Sequence, residues 1–139
     1  MKKMFMAVSL IVLGMLLVGC APSGNGTDPV SVVKANMMAF QNKDVNGYMT
    51  TISPNTPGFA ATKQMIGKLF QMYDFKVELK DLKVVSQGTT EAKVSFTQVM
   101  KKVKGPDFKD NTIEGVHTLV KGPAGWQILN TEIKSFKYL

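Results

Sequence analysis

A disulfide framework is excluded at once, because the 139 residues include one cysteine, Cys20. A folded domain in this chain must therefore rest on its own core rather than on covalent staples. Arginine is absent, so all 17 basic residues are lysine. Arginine gives planar, two-pronged contacts to phosphates and base edges, whereas lysine gives a mobile point charge. No nucleic-acid partner is expected. Histidine occurs once, at His117, and the ten acidic residues form no tight cluster. Metal sites need grouped His, Cys or carboxylate ligands, so neither a metal nor another cofactor is expected. A glycine-flanked serine elbow, a phosphate-cradling glycine loop and a dinucleotide fingerprint are all missing. Long apolar runs are scarce too, and the one that exists lies at the start.

Met1-Lys2-Lys3 is positively charged, and Met4 to Val18 follows with fifteen uncharged residues. A charged head and an apolar middle describe a secretory leader. As a helix the run reaches only ~22 Å, short of the ~30 Å of a bilayer core, so a permanent span is the weaker reading. The run ends in Leu17-Val18-Gly19-Cys20, which resembles the lipobox of bacterial lipoproteins. That resemblance implies a diacylglyceryl group on the Cys20 sulfur, palmitate-type acylation and cleavage after Gly19. It also implies a protein held by membrane lipid on the extracytoplasmic side of the cell membrane. Two acyl chains anchor stably where one holds weakly. The competing reading is an ordinary secreted protein with a cysteine at its cleavage site. Ala21 is not the acidic residue that can retain a lipoprotein in an inner membrane.

Three segments follow from this: a leader over 1–19, the lipidated cysteine with a flexible tether over 20–27, and one domain over 28–139. "APSGNGT" supplies the tether, being small, polar and glycine-rich. Loss of Lys2 and Lys3 lowers the formal charge from +7 to +5. That mild excess favours solubility, with attraction to anionic lipid as the alternative.

Thr27-Asp28-Pro29 is a helix start, a capping side chain followed by proline. Val30, Val33, Met37 and Phe40 then draw one apolar stripe. "QNKD" interrupts it, Val45, Tyr48, Met49 and Ile52 begin a shorter helix, and Pro54 ends that one. Thr56-Pro57 can start a third helix, with Met65, Ile66, Leu69, Phe70 and Tyr73 as its buried face. After Asp74 the period falls to two. Phe75, Val77 and Leu79 alternate with charged residues, and Leu82 and Val84 continue out of phase, which predicts a bulge near Lys80-Asp81. "SQGTT", "KGPDFKDN" and "KGPAG" are turns between four strands, the later ones over 92–100, 112–121 and 126–138. The expected fold class is α+β: N-terminal helices packed on a curved, mainly antiparallel sheet of about four strands.

With "DPVSVVKANMMAFQNKDVNGYMTTISP" as helix, break and second helix, and "GVHTLVKGPAGWQILNTEI" as a final hairpin, the chain resembles the nuclear-transport-factor-2-like (cystatin-like) superfamily in its small lipoprotein form. The resemblance implies a cone-shaped domain whose pocket serves enzymes, binding modules and scaffolds alike, so it does not decide function.

In that cone the residues proposed to line a ligand pocket are Tyr48, Tyr73, Phe96, His117 and Trp126. No residue matches an enzyme motif of the fold, so no catalytic residue is assigned. His117 shares a strand face with Ile113, Gly115 and Leu119, while Val116 and Val120 occupy the other face, and the pattern does not decide which is buried. Asp74 suits a turn role at a helix–strand junction. Glu132 falls in phase with Trp126 and Ile128 unless a bulge near Leu129 reverses it. Met37, Met38, Met49, Met65 and Met72 lie in the helical third and suit either a core or an adaptable pocket. Lys101, Lys102, Lys104 and Lys109 flank the widest turn, where they protect a strand edge or meet an anionic surface. The leading functional reading is a non-enzymatic, membrane-anchored envelope module that binds a small apolar ligand or an envelope protein. The alternatives are a small acid–base enzyme using His117, and a structural domain that forms a homodimer or docks through its outer sheet face.

Overall fold

The computed structural model describes residues 28–139. The leader, the tether and Cys20 lie outside the described residues. Three helices come first: α1 (Pro29–Gln41), α2 (Val45–Thr50) and α3 (Phe59–Met72). Four strands follow, β1 (Asp74–Gln87), β2 (Glu91–Lys104), β3 (Asn111–Gly122) and β4 (Gly125–Tyr138), in the antiparallel order β1-β2-β3-β4. The expected fold class is the one found.

Local chemistry explains the helix boundaries. Asp28 accepts a hydrogen bond from the Ser31 N–H at 2.9 Å and Pro29 opens the first turn, so one orphan donor is satisfied and φ is preset. At the "QNKD" break Lys43 adopts a left-handed conformation (φ 57°), and its ammonium pairs with Asp74 at the start of β1. Asp44 then caps α2 by accepting from the Gly47 N–H at 2.9 Å. A Cβ on Gly47 would collide with that carboxylate.

Two expectations about the helices need correction. The third helix begins at Phe59 after left-handed Gly58, because Thr56 turns its hydroxyl to the Ile128 and Leu129 carbonyls instead of to a helix start. Met65 is exposed, and Ile66 and Phe70 carry the buried face of α3.

The core lies between α1 and the middle of the sheet. Val32 and Val33 pack there with Ile52, Ala92, Val94, Leu119, Trp126 and Ile128. Two of the sheet's register shifts bear on the cavity and on the bulge read from the sequence. One, between Leu79 and Asp81, is the bulge read from the sequence. The other passes Leu119↔Ile128 to Thr118↔Asn130 and leaves Leu129 unpaired. It turns Thr131 to the helix side and Glu132 to the outer face, opposite Val116. Among the described residues no helix is long and apolar enough to cross a membrane.

Candidate functional site

Beyond the core, where α1 and α2 leave the sheet partly uncovered, lies a cavity of about 230 Å³. Its apolar wall includes Met37, Phe40, Met100 and Ile113, and its polar groups come from Asn36, Tyr48, Gln98, His117 and Thr131. The sheet register supplies the floor: Phe96 lies opposite Gly115, and His117 lies opposite Thr131. Only glycine suits position 115, since a Cβ there would sit 2.8 Å from the Phe96 ring and 2.6 Å from the Glu132 carbonyl oxygen. Phe96 therefore lies flat across β3 and stacks on the His117 ring, with centroids 4.3 Å apart and planes 16° apart.

This packing settles the orientation of His117. It is 7% exposed and faces the helices, and its Nδ1 is hydrogen-bonded to Thr131 Oγ1 at 2.7 Å. Burial pushes its pKa from 6.5 down to about 4, because the charged imidazolium loses its water. The ring is neutral at physiological pH. Burial also raises the Tyr48 phenol above its ordinary value, opposed in part by a hydrogen bond with Asn36. Asn36 itself donates to Thr51 Oγ1 at 2.7 Å. Among the described residues no carboxylate lines the cavity, so none stands beside the imidazole to favour its charged form.

Three of the five residues read as pocket candidates, Tyr48, Phe96 and His117, meet in this cavity. Two do not. Trp126 pairs with Lys121 at the β3–β4 turn and sits in the core at 4% exposure. Tyr73 ends α3, stacks on Phe75 at 5.1 Å and lines a separate cleft with Phe40, Phe70 and Asp74. Asn36, Gln98 and Thr131 are polar residues of the cavity that the sequence reading passed over. Gln98 carried a signal, since it falls in phase with Ala92, Val94, Phe96 and Met100.

The sequence model of the family described as "Anti-sigma-I factor RsgI9, C-terminal domain" matches residues 31–139. The chain belongs to this family. The anti-sigma-I factor RsgI9 of Acetivibrio thermocellus is 30% identical over 103 residues. That match spans 74% of this chain and 14% of the relative's length. Among solved structures, Bd1075 of Bdellovibrio bacteriovorus is similar with a TM-score of 0.65 at 20% identity, over 76% of this chain and 38% of that one. A nuclear transport factor 2 (NTF2-like) superfamily protein from Salmonella enterica gives 0.65 at 14% identity, over 76% and 87%. A protein with a cystatin-like fold from Nostoc punctiforme gives 0.59 at 12%, over 73% and 84%. These likenesses establish the NTF2-like, cystatin-like fold. At such identities they carry no activity across.

Proposed function

We propose that the RsgI9-type domain in this chain is a non-enzymatic binding module, which takes a small and mainly apolar ligand into the His117 cavity. The observation that carries the reading is the cavity's chemistry: apolar walls, a few convergent polar groups and a neutral buried imidazole. Such a lining suits a ligand with one or two hydrogen-bonding groups. A general acid–base catalyst needs a pKa near its working pH, and an imidazole held near 4 is uncharged and weakly basic there. The relative's name supports a place beside a regulator, since an anti-sigma factor works by binding a protein. The match covers 14% of that relative and the family model is that of a C-terminal domain, so the role proposed is a ligand-responsive domain with a protein partner.

Native mass spectrometry of residues 21–139 after exposure to an envelope extract tests the module. A discrete bound mass is expected. Gln98→Leu should weaken its retention roughly tenfold through one lost hydrogen bond, and unloaded protein in every extract would sink the reading.

Anchoring through Cys20 belongs to the same proposal and rests on the leader pattern and its terminal cysteine. Cells fed labelled palmitate should label the full chain and leave Cys20→Ser unlabelled. Equal labelling of both would remove the anchor.

A further inference from the structure

β4 is an edge strand whose two halves differ. Its beginning is closed by Ile52, which bridges Ile128 in parallel. The Ile128 N–H donates to the Thr51 carbonyl and the Ser53 N–H to the Ile128 carbonyl, both at 2.8 Å. From Asn130 to Tyr138 no described segment pairs with the outer edge. That stretch also exposes Ile133 (52%), Phe136 (50%) and Tyr138 (63%). Phe136 and Tyr138 line a cleft of about 490 Å³ with Met100, Phe108 and Ile113, and Ile133 borders the His117 cavity. An open edge with a row of exposed apolar side chains is normally covered or blunted.

The open edge is complementary to itself. The shift from Gly115↔Ile133 to Glu114↔Ser135 leaves Lys134 without a partner on β3. Ile133 and Phe136 consequently share the inner face, opposite Gly115 and Ile113, while Glu132 and Lys137 share the outer face, opposite Val116 and Thr112. Consider a second copy laid antiparallel, with the two-fold axis between Lys134 and Ser135. Ile133 then falls opposite Phe136 of the second copy, and Glu132 opposite its Lys137, each twice by symmetry. Lys134 of each strand falls opposite Ser135 of the other, so the two strands pair one to one. Among the described residues Lys137 takes part in no ion pair, and Glu132 holds only the exposed Lys134.

We infer that two copies of this chain join edge to edge through Asn130 to Tyr138, forming one continuous antiparallel sheet. This goes beyond the ligand reading and uses the strand edge rather than the outer sheet face.

Sedimentation equilibrium of the purified full chain in density-matched detergent tests it. A reversible dimer is expected. Glu132→Lys and Lys137→Glu should each weaken it roughly tenfold, because two cross-strand charge pairs become repulsive. The double variant Glu132→Lys/Lys137→Glu should return to within about threefold of the parent, as coupled neighbours do. Both positions are exposed, and unchanged circular dichroism will show that the fold is intact. A parent that stays monomeric at every concentration, or a dimer indifferent to the single variants, overturns the inference. So does a double variant no tighter than the singles.

Discussion

Replacing Trp126 with alanine is expected to remove roughly 3–5 kcal/mol of stability, the loss typical of a large aromatic deleted from a packed core. The indole is 4% exposed and packs with Val32, Val33, Ile52, Leu119 and Ile128. Its outer face carries the Lys121 ammonium 5.8 Å from the ring centroid, which adds little at an exposed site. The same cluster holds α1 to the strand that Ile52 bridges, so the cavity left behind would loosen helix and sheet together. Urea unfolding followed by circular dichroism measures the change. A loss no larger than that of an exposed substitution, within about 0.5 kcal/mol, would contradict the core placement. Trp126→Phe keeps most of the apolar area and should cost less. It should leave ligand retention in the His117 cavity unchanged, because the indole stands at the other end of the sheet from that cavity.

Trp126 also marks the boundary of what could be read from the sequence. Element order, the Asp28 cap and the bulge after Leu79 were legible because each depends on neighbours a few residues apart. The side of the sheet that Trp126 occupies was legible as well. Its distance along the strand from His117 was not, since that depends on how far α1 covers the sheet. Thr131 and Glu132 required the unpaired Leu129, and one extra residue exchanges the faces of everything beyond it. Thr56-Pro57 looked like a helix start because the competing acceptors, the carbonyls of Ile128 and Leu129, lie 72 and 73 residues away in the chain. Gln98 and Asn36 are a different case. Polar residues at inward phases of apolar stripes are visible without a structure, and they become meaningful once the stripe is treated as a cavity wall.

His117 supplies the second large effect, a loss of stability in mild acid. The unfolded imidazole titrates near 6.5 and the folded one near 4, with burial as the cause. Between these values the unfolded chain binds a proton that the folded chain refuses, so stability rises with pH through that window. It is complete above about 7 and declines as pH falls towards 4. The full difference is about 3 kcal/mol at ~1.4 kcal/mol per pH unit. Asp28, Asp74 and Glu78 are held below their ordinary values by Ser31, Lys43 and Lys80 respectively. Their stabilisation is lost as pH falls through the usual carboxylate range and below, at the acid end of the histidine window. Urea midpoints at pH 7.5, 6.5, 5.5 and 4.5 should fall steadily for the parent and stay nearly level for His117→Gln. Parallel curves for the two proteins would mean that the folded imidazole is solvated, against its burial beneath Phe96 and the helices. The same titration bears on function. An acid–base enzyme working through an ordinary imidazole would show its inflection near 6.5. A binding cavity with this histidine at its wall should hold a neutral ligand with undiminished affinity down to about pH 5 and lose it only as the imidazole is forced to take up its proton.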